Sequence, residues 1–169
     1  MNKDNKALRI TVDVILICVA FVFLYFGVKE AIEKIEATKI ADDVKFNRSY
    51  RDVEKGNLYR YIDEKKMNAL LKESGVFFRG NPDDSWSQVV AKPLYDVIKD
   101  HGIEEIYYFE TDENVPCIIV VREGDVLVEL QKDDLFDEEF EGSPIEYFED
   151  EDRKNEFEEL LKCVGELKE

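Results

Sequence analysis

The sequence predicts a mixed α/β domain, with helices on both faces of its sheet, behind a single N-terminal transmembrane helix. Three observations predict it. Residues 8–28 form one greasy run, LRITVDVILICVAFVFLYFGV, and the chain beyond it is polar and acidic. Past residue 57, short strand-like segments alternate with amphipathic helical ones. That alternation ends in a pair of strands across Glu123-Gly124, then a last helix.

The greasy run comes first. At a rise of about 1.5 Å per residue it spans roughly 30 Å, the thickness of a bilayer's hydrocarbon core. Leu24-Tyr25-Phe26-Gly27-Val28-Lys29 offers no small-x-small cleavage site, which argues against a signal peptide. The run is apolar all round, which argues against a one-sided core helix. Asp13 lies near its start, within reach of the interface, and Tyr25 and Phe26 suit the opposite interface. Lys3, Lys6 and Arg9 crowd the short leading tail, so that tail is expected inside and the following domain outside the cell membrane.

The formal net charge of −17 repels nucleic acid and anionic lipid headgroups, so nucleic-acid binding is not expected. Of three cysteines, Cys18 lies in the greasy run, and Cys117 and Cys163 form no disulfide framework. His101 is the sole histidine, and there is no Cys-x-x-Cys and no phosphate-binding glycine loop. No metal and no cofactor are expected.

The elements follow in order. Residues 29–47 read as a helical stalk with a favourable Glu30–Lys34 pair, and 47–57 as a charged linker. Leu58–Ile62 alternates like a short strand. Asp63 caps a helix that lines up Met67, Leu70 and Leu71 and ends at Gly75. Val76–Phe78 is a buried strand closed by Gly80-Asn81-Pro82. Ser85 and Gln88 read as the capping box of a long helix whose stripe is Val89, Val90, Leu94, Val97 and Ile98, with a kink expected at Pro93. Ile103–Phe109, Cys117–Val121 and Asp125–Leu130 are three further strands, the last two a hairpin. Residues 131–149 read as an acidic loop. Residues 150–168 read as a helix burying Phe157, Leu160, Leu161 and Val164.

A strand, a loop, a helix with an internal proline, a Val115-Pro116 before a central strand, a Glu-Gly hairpin and a closing helix together resemble the thioredoxin fold. Within it, Phe78-Arg79-Gly80-Asn81-Pro82-Asp83 is similar to the first half of the Gly-x-Pro-x-Cys-x-x-Cys pattern of membrane-anchored, bacteriocin-accessory-type thioredoxin-like proteins. The resemblance implies a cis Val115–Pro116 bond facing the active-site loop. It also implies a helix between the third and fourth strands, where only about six residues separate Glu110 from Pro116; either that helix is deleted or Pro116 is not the family's proline. Counting from Pro82 puts the two cysteines of the family at Asp84 and Ser87; counting back from Pro93 puts them at Ser85 and Gln88. Neither register holds a sulfur, and disulfide exchange needs a thiolate to attack and a second thiol to resolve.

The expected organisation is therefore a tail and anchor over 1–28, a stalk and linker over 29–57 and a thioredoxin-like domain over 58–169. The expected function is that of a membrane-anchored, redox-inactive binding or accessory module, held in the membrane by residues 8–28 and engaging another protein or a peptide. The candidate peptide-binding patch is Phe78, Ser85, Trp86, Val115 and Pro116, with Trp86 as a plain core cover the alternative. Cys117 is the candidate reactive thiol of a competing reading, a single-cysteine oxidoreductase working alone or with Cys163; its alternative is a buried core residue. A structural subunit of a membrane complex is the third reading. No catalytic constellation is legible.

Overall fold

A computed structural model describes the backbone of residues 3–137 and 140–168, and the side chains of residues 20–137 and 140–167. The chain divides into two compact units, Met1–Ile40 and Ala41–Glu169. In the first unit the chain is helical throughout its described length, within α1 (Lys3–Ser49). Phe21, Phe23, Leu24, Tyr25 and Phe26 are all exposed on it. The expected Glu30–Lys34 pair forms at 2.7 Å. Among the described residues no helix is long and apolar enough to cross a membrane. The expected span falls largely on residues 8–19, whose side chains lie outside the described residues.

The second unit is built on a five-stranded sheet. Its strands are β1 (Tyr59–Tyr61), β2 (Gly75–Gly80), β3 (Ile106–Glu110), β4 (Cys117–Arg122) and β5 (Asp125–Leu130), in the order β1-β3-β2-β4-β5. β1, β3 and β2 run parallel; β4 and β5 are antiparallel to their neighbours. Each crossover between parallel strands carries a helix, as parallel pairing demands: α2 (Glu64–Leu70) after β1 and α3 (Ser85–Asp100) after β2. The β4–β5 turn has positive φ at both Glu123 and Gly124, the backbone a two-residue hairpin of matching twist requires. This mixed five-stranded arrangement fits a thioredoxin-like fold. Residues 111–116 between β3 and β4 contain no helix, the departure that the short spacing foreshadows.

Because side chains alternate across a strand, Phe77 and Phe78 enter opposite interiors. Phe78 joins the larger one with Tyr59, Ile106, Tyr108, Ile118 and Val120, under α3 and the C-terminal helices. Phe77 joins the smaller one with Ile62, Met67, Cys117, Ile119 and Val121.

Three expectations change here. Residues 47–57 are not a linker. Phe46, Tyr50 and Val53 are buried in the main core, and the compact unit begins at Ala41 rather than 58. Phe46 stacks on Tyr59 with ring centroids 3.7 Å apart, and the Tyr50 and Tyr108 hydroxyls meet at 2.9 Å. Second, α3 is capped one residue earlier, by Asp84, and not by a Ser85–Gln88 box. Asp84 holds extended dihedrals and its carboxylate accepts the Ser87 amide at 2.6 Å, while Ser85 is already helical. A carboxylate at that position both caps the amides and meets the positive end of the helix dipole. Third, the acidic 131–149 stretch is partly folded. It forms α4 (Lys132–Leu135) and α5 (Pro144–Tyr147), and buries Leu135, Phe136, Tyr147 and Phe148. The last helix, α6 (Glu151–Leu160), gives way to a 3-10 helix over Lys162–Lys168. Leu160, expected in its buried stripe, is exposed; Phe157, Leu161 and Val164 are buried.

Candidate functional site

The loop from β2 to α3 is where the resemblance places chemistry, and its geometry follows from residues 80–88. Strand β2 ends at Gly80, where a side chain would collide with the Phe78 ring and the Tyr50 hydroxyl. Asn81 turns the chain: its side-chain oxygen accepts the Asp83 amide at 2.8 Å, an Asx turn. Its carbonyl accepts the Asp84 amide. Its own amide donates to Ser87 Oγ at 3.2 Å. Ser87 is fully buried, and its hydroxyl donates to Asp84 Oδ2 at 2.7 Å.

Asp84 and Ser87 are the pair that one register assigns to the family's two cysteines. Here a charge-assisted hydrogen bond joins them instead. Neither side chain is a soft nucleophile, and both are committed to closing the first turn of α3.

The loop is tied on both sides. Gln88 Nε2 donates to the Pro82 carbonyl at 2.6 Å and to the Ser49 carbonyl at 2.8 Å, linking it to the end of α1. From below, Tyr108 Oη donates to the Gly80 carbonyl at 3.1 Å. Burial drives the Tyr50 and Tyr108 phenols far above their ordinary range, so both stay neutral hydrogen-bonding groups. On the other flank Thr111 donates its amide to Gly80 O, Asn81 Nδ2 reaches Asp112 Oδ1 at 2.6 Å, and Arg79 reaches the Glu113 carbonyl at 3.2 Å. These bonds hold the helix-free 111–116 connection against the end of β2, with Val115–Pro116 in the cis form.

The five residues of the candidate patch do not come together as an exposed surface. Phe78 is 0% exposed on the main-core face, and Pro116 is buried. Ser85 is exposed; Trp86 and Val115 are half-buried. Trp86 packs on Phe136 at 4.0 Å between ring centroids and edge-on to Tyr147 at 5.9 Å. Its neighbours thus come from the acidic stretch, and the indole keeps part of its surface exposed. Phe136 and Tyr147 were the aromatic partners that sequence reasoning missed. Their signal was aromatic residues recurring inside an otherwise acidic loop.

Cys117 opens β4 in the smaller interior, fully buried and in register with Arg79. Burial pushes its thiol up to about 11, and the Arg79 charge opposes that shift without cancelling it. Cys163 is half-buried in the 3-10 helix, its thiol raised first by burial and then by Glu166. It packs against the main core, on the opposite face of the sheet from Cys117, so the two do not form a working pair. Among the described residues no group of three or more His, Cys, Asp or Glu is arranged to hold a metal ion.

Fold and loop together describe a mixed α/β domain that fits a thioredoxin-like fold, with a capped, sulfur-free start to α3. No family model and no curated protein matches the chain. Among solved structures it is similar to the thioredoxin of Trypanosoma brucei brucei, at 10% identity and a TM-score of 0.38, over 44% of this chain and 79% of that one.

Proposed function

We propose that this chain is a membrane-anchored, redox-inactive thioredoxin-like module that works by binding. The observation that carries the reading is the Asp84–Ser87 hydrogen bond, which occupies the two positions that one register assigns to the sulfurs of dithiol chemistry; the other register, Ser85 and Gln88, holds no sulfur either. The buried Cys117, with its raised thiol, gives a one-cysteine enzyme no accessible thiolate. The greasy run over residues 8–28 and the exposed aromatic side chains of Phe21–Phe26 support the anchor, with the acidic domain outside the cell membrane. The accessory role rests on the similarity of Phe78–Asp83 to the bacteriocin-accessory loop.

An insulin-reduction assay on the full chain tests the redox half. The expected result is no acceleration over buffer; turnover by the wild type ends this reading. A variant carrying both Asp84→Cys and Ser87→Cys is expected to gain dithiol activity, since thiols at a helix N-terminus ionise readily. Alkaline carbonate extraction of membranes tests the anchor. The chain is expected in the pellet, and release into the supernatant removes the membrane from the proposal.

A further inference from the structure

Away from the loop, the second unit carries an apolar groove of about 400 Å³ between α3 and the α5–α6 arm. Its floor is Val89, Pro93 and Val97 on one side, Phe148 and Phe157 on the other. Ile145 stands at its lip with 66% of its surface exposed, in a part of the molecule where most large apolar side chains are buried. Pro93 has no amide hydrogen, so it cannot donate to the Val89 carbonyl one turn earlier.

The rim is acidic. Asp52, Asp96, Glu149 and Glu158 face Lys92 and Lys154, and Lys92 is already bonded to Asp96. That leaves three carboxylates to one ammonium around an apolar trough. The wider charge distribution points the same way. Of the net charge of −17, residues 1–40 contribute +1 and residues 41–169 contribute −18. A second copy of this domain brings the same acidic rim and is repelled, and so is an anionic lipid surface. A cationic partner with an apolar stripe is attracted on both counts.

We propose that this groove binds a basic, amphipathic helical segment of a partner protein. The apolar side chains of the segment enter between α3 and α6 beside Ile145, and its lysines or arginines lie along Asp52, Glu149 and Glu158. This is the helix-in-groove mode of recognition. The proposal deepens the reading of the chain as a binding module, rests on that reading, and places the contact on a surface distinct from the Trp86 edge.

The test uses the full chain in zwitterionic nanodiscs, with empty nanodiscs as the lipid control. The probe is a fluorescein-labelled 18-residue Leu/Lys amphipathic helical peptide, set against a scramble of the same composition. Fluorescence anisotropy is expected to show saturable binding beyond that of empty discs, at least tenfold tighter than the scramble and weakening with salt. Ile145→Lys, and Glu149→Lys with Glu158→Lys, are each expected to weaken it tenfold or more. Both changes fall on exposed side chains, and a thermal melt confirms folding. A Leu/Glu counterpart peptide is expected to bind the double charge reversal better than the wild type. Equal binding of the scramble reduces the effect to bulk charge and overturns the groove. Loss of binding in Trp86→Ala but not in Ile145→Lys also overturns the groove while leaving a binding module in place. If sedimentation shows a dimer of the wild type that Ile145→Lys dissolves, the occupant is a second copy and the proposal fails. Insulin reduction by the wild type removes the underlying reading independently of any of these outcomes.

Discussion

Phe77 and Phe78 sit side by side on β2, both buried, and they belong to unequal interiors. On the Phe78 side the sheet is roofed by α3, by α6 with the 3-10 helix, and by the end of α1 with its Phe46–Tyr50–Tyr59–Tyr108 cluster. On the Phe77 side, among the described residues, the helical cover is the seven-residue α2, through Met67 and Leu70, with Leu71 at its C-cap. The helix that a thioredoxin fold places between its third and fourth strands is absent there, and residues 111–116 cross as bare loop. The difference teaches where this fold keeps its reserves. Layers of secondary structure on one face can be thinned when the other face gains one, and here the gain is the last turn of α1 and the chain up to Asn57.

The largest expected effect breaks that comparison most directly. Phe78→Ala opens a cavity among ring neighbours that are themselves locked by hydrogen bonds, and is expected to cost about 4–5 kcal/mol in urea denaturation of the full chain. Phe77→Ala, next to a short helix and half-buried Tyr107 and Phe109 able to relax, is expected near the lower end, about 3 kcal/mol. Equal costs remove the claim that the α2 face is the more yielding one.

How far the sequence foretold this arrangement is instructive residue by residue. The hairpin at Glu123-Gly124, the Asp63 cap and the order of strands and helices are local matters. Each is written in turn chemistry or in a short period, and each appears as expected. Phe46, Tyr50 and Val53 also follow a helical spacing of four and three, but they are sparse among charged neighbours. Phe46 stacks on Tyr59 and Tyr50 meets Tyr108 edge-on, partners whose proximity no local pattern announces. The candidate patch failed for a related reason. Alternation puts Phe77 and Phe78 on opposite faces, but both faces are covered by other elements, so Phe78 is buried whichever face it takes. Trp86 was singled out correctly as standing at the start of α3; its true partners, Phe136 and Tyr147, come from a stretch whose acidity masked its aromatics.

A chemical measurement sharpens the contrast between the faces. With Cys18→Ser as background, iodoacetamide at pH 8 is expected to label Cys163 well before Cys117. At a thiol value of about 11, on the order of one Cys117 in a thousand is thiolate at that pH, and burial restricts access further. Labelling of Cys117 as fast as Cys163 in the native chain means that the α2 face opens freely, by local unfolding well below the global barrier.

The loop between β2 and α3 has a smaller stake in stability. Asp84→Ala removes the acceptor of the Ser87 amide and hydroxyl, and is expected to cost about 1–2 kcal/mol by denaturant melt. Asp84→Asn keeps an acceptor and is expected to recover most of it. A larger loss in Asp84→Ala, with no rescue, assigns the residue a role in holding the 111–116 connection as well as α3.

The smallest expected effect concerns how the segment over 41–57 is fastened to α3. Glu54 accepts hydrogen bonds from the Lys99 ammonium and, at 2.5 Å, from the Tyr95 hydroxyl. The Lys99 bond, then the Tyr95 bond, hold the Glu54 carboxyl below its ordinary value of 4.5, and the same contact holds Lys99 above 10.5. A depressed carboxylate contributes stability above its unfolded-state value and loses it as pH falls through the lower folded one. A raised ammonium contributes below its unfolded-state value and loses it as pH rises through the higher folded one. The stability difference between wild type and Glu54→Gln is therefore expected to be flat from about pH 5.5 to about pH 9.5 and to shrink at both ends. Its plateau is small, because the pair is exposed to solvent and screened by salt. A difference that persists unchanged into acid assigns the effect to packing of the Tyr95 ring, and the segment's hold on α3 then rests on its buried aromatics alone.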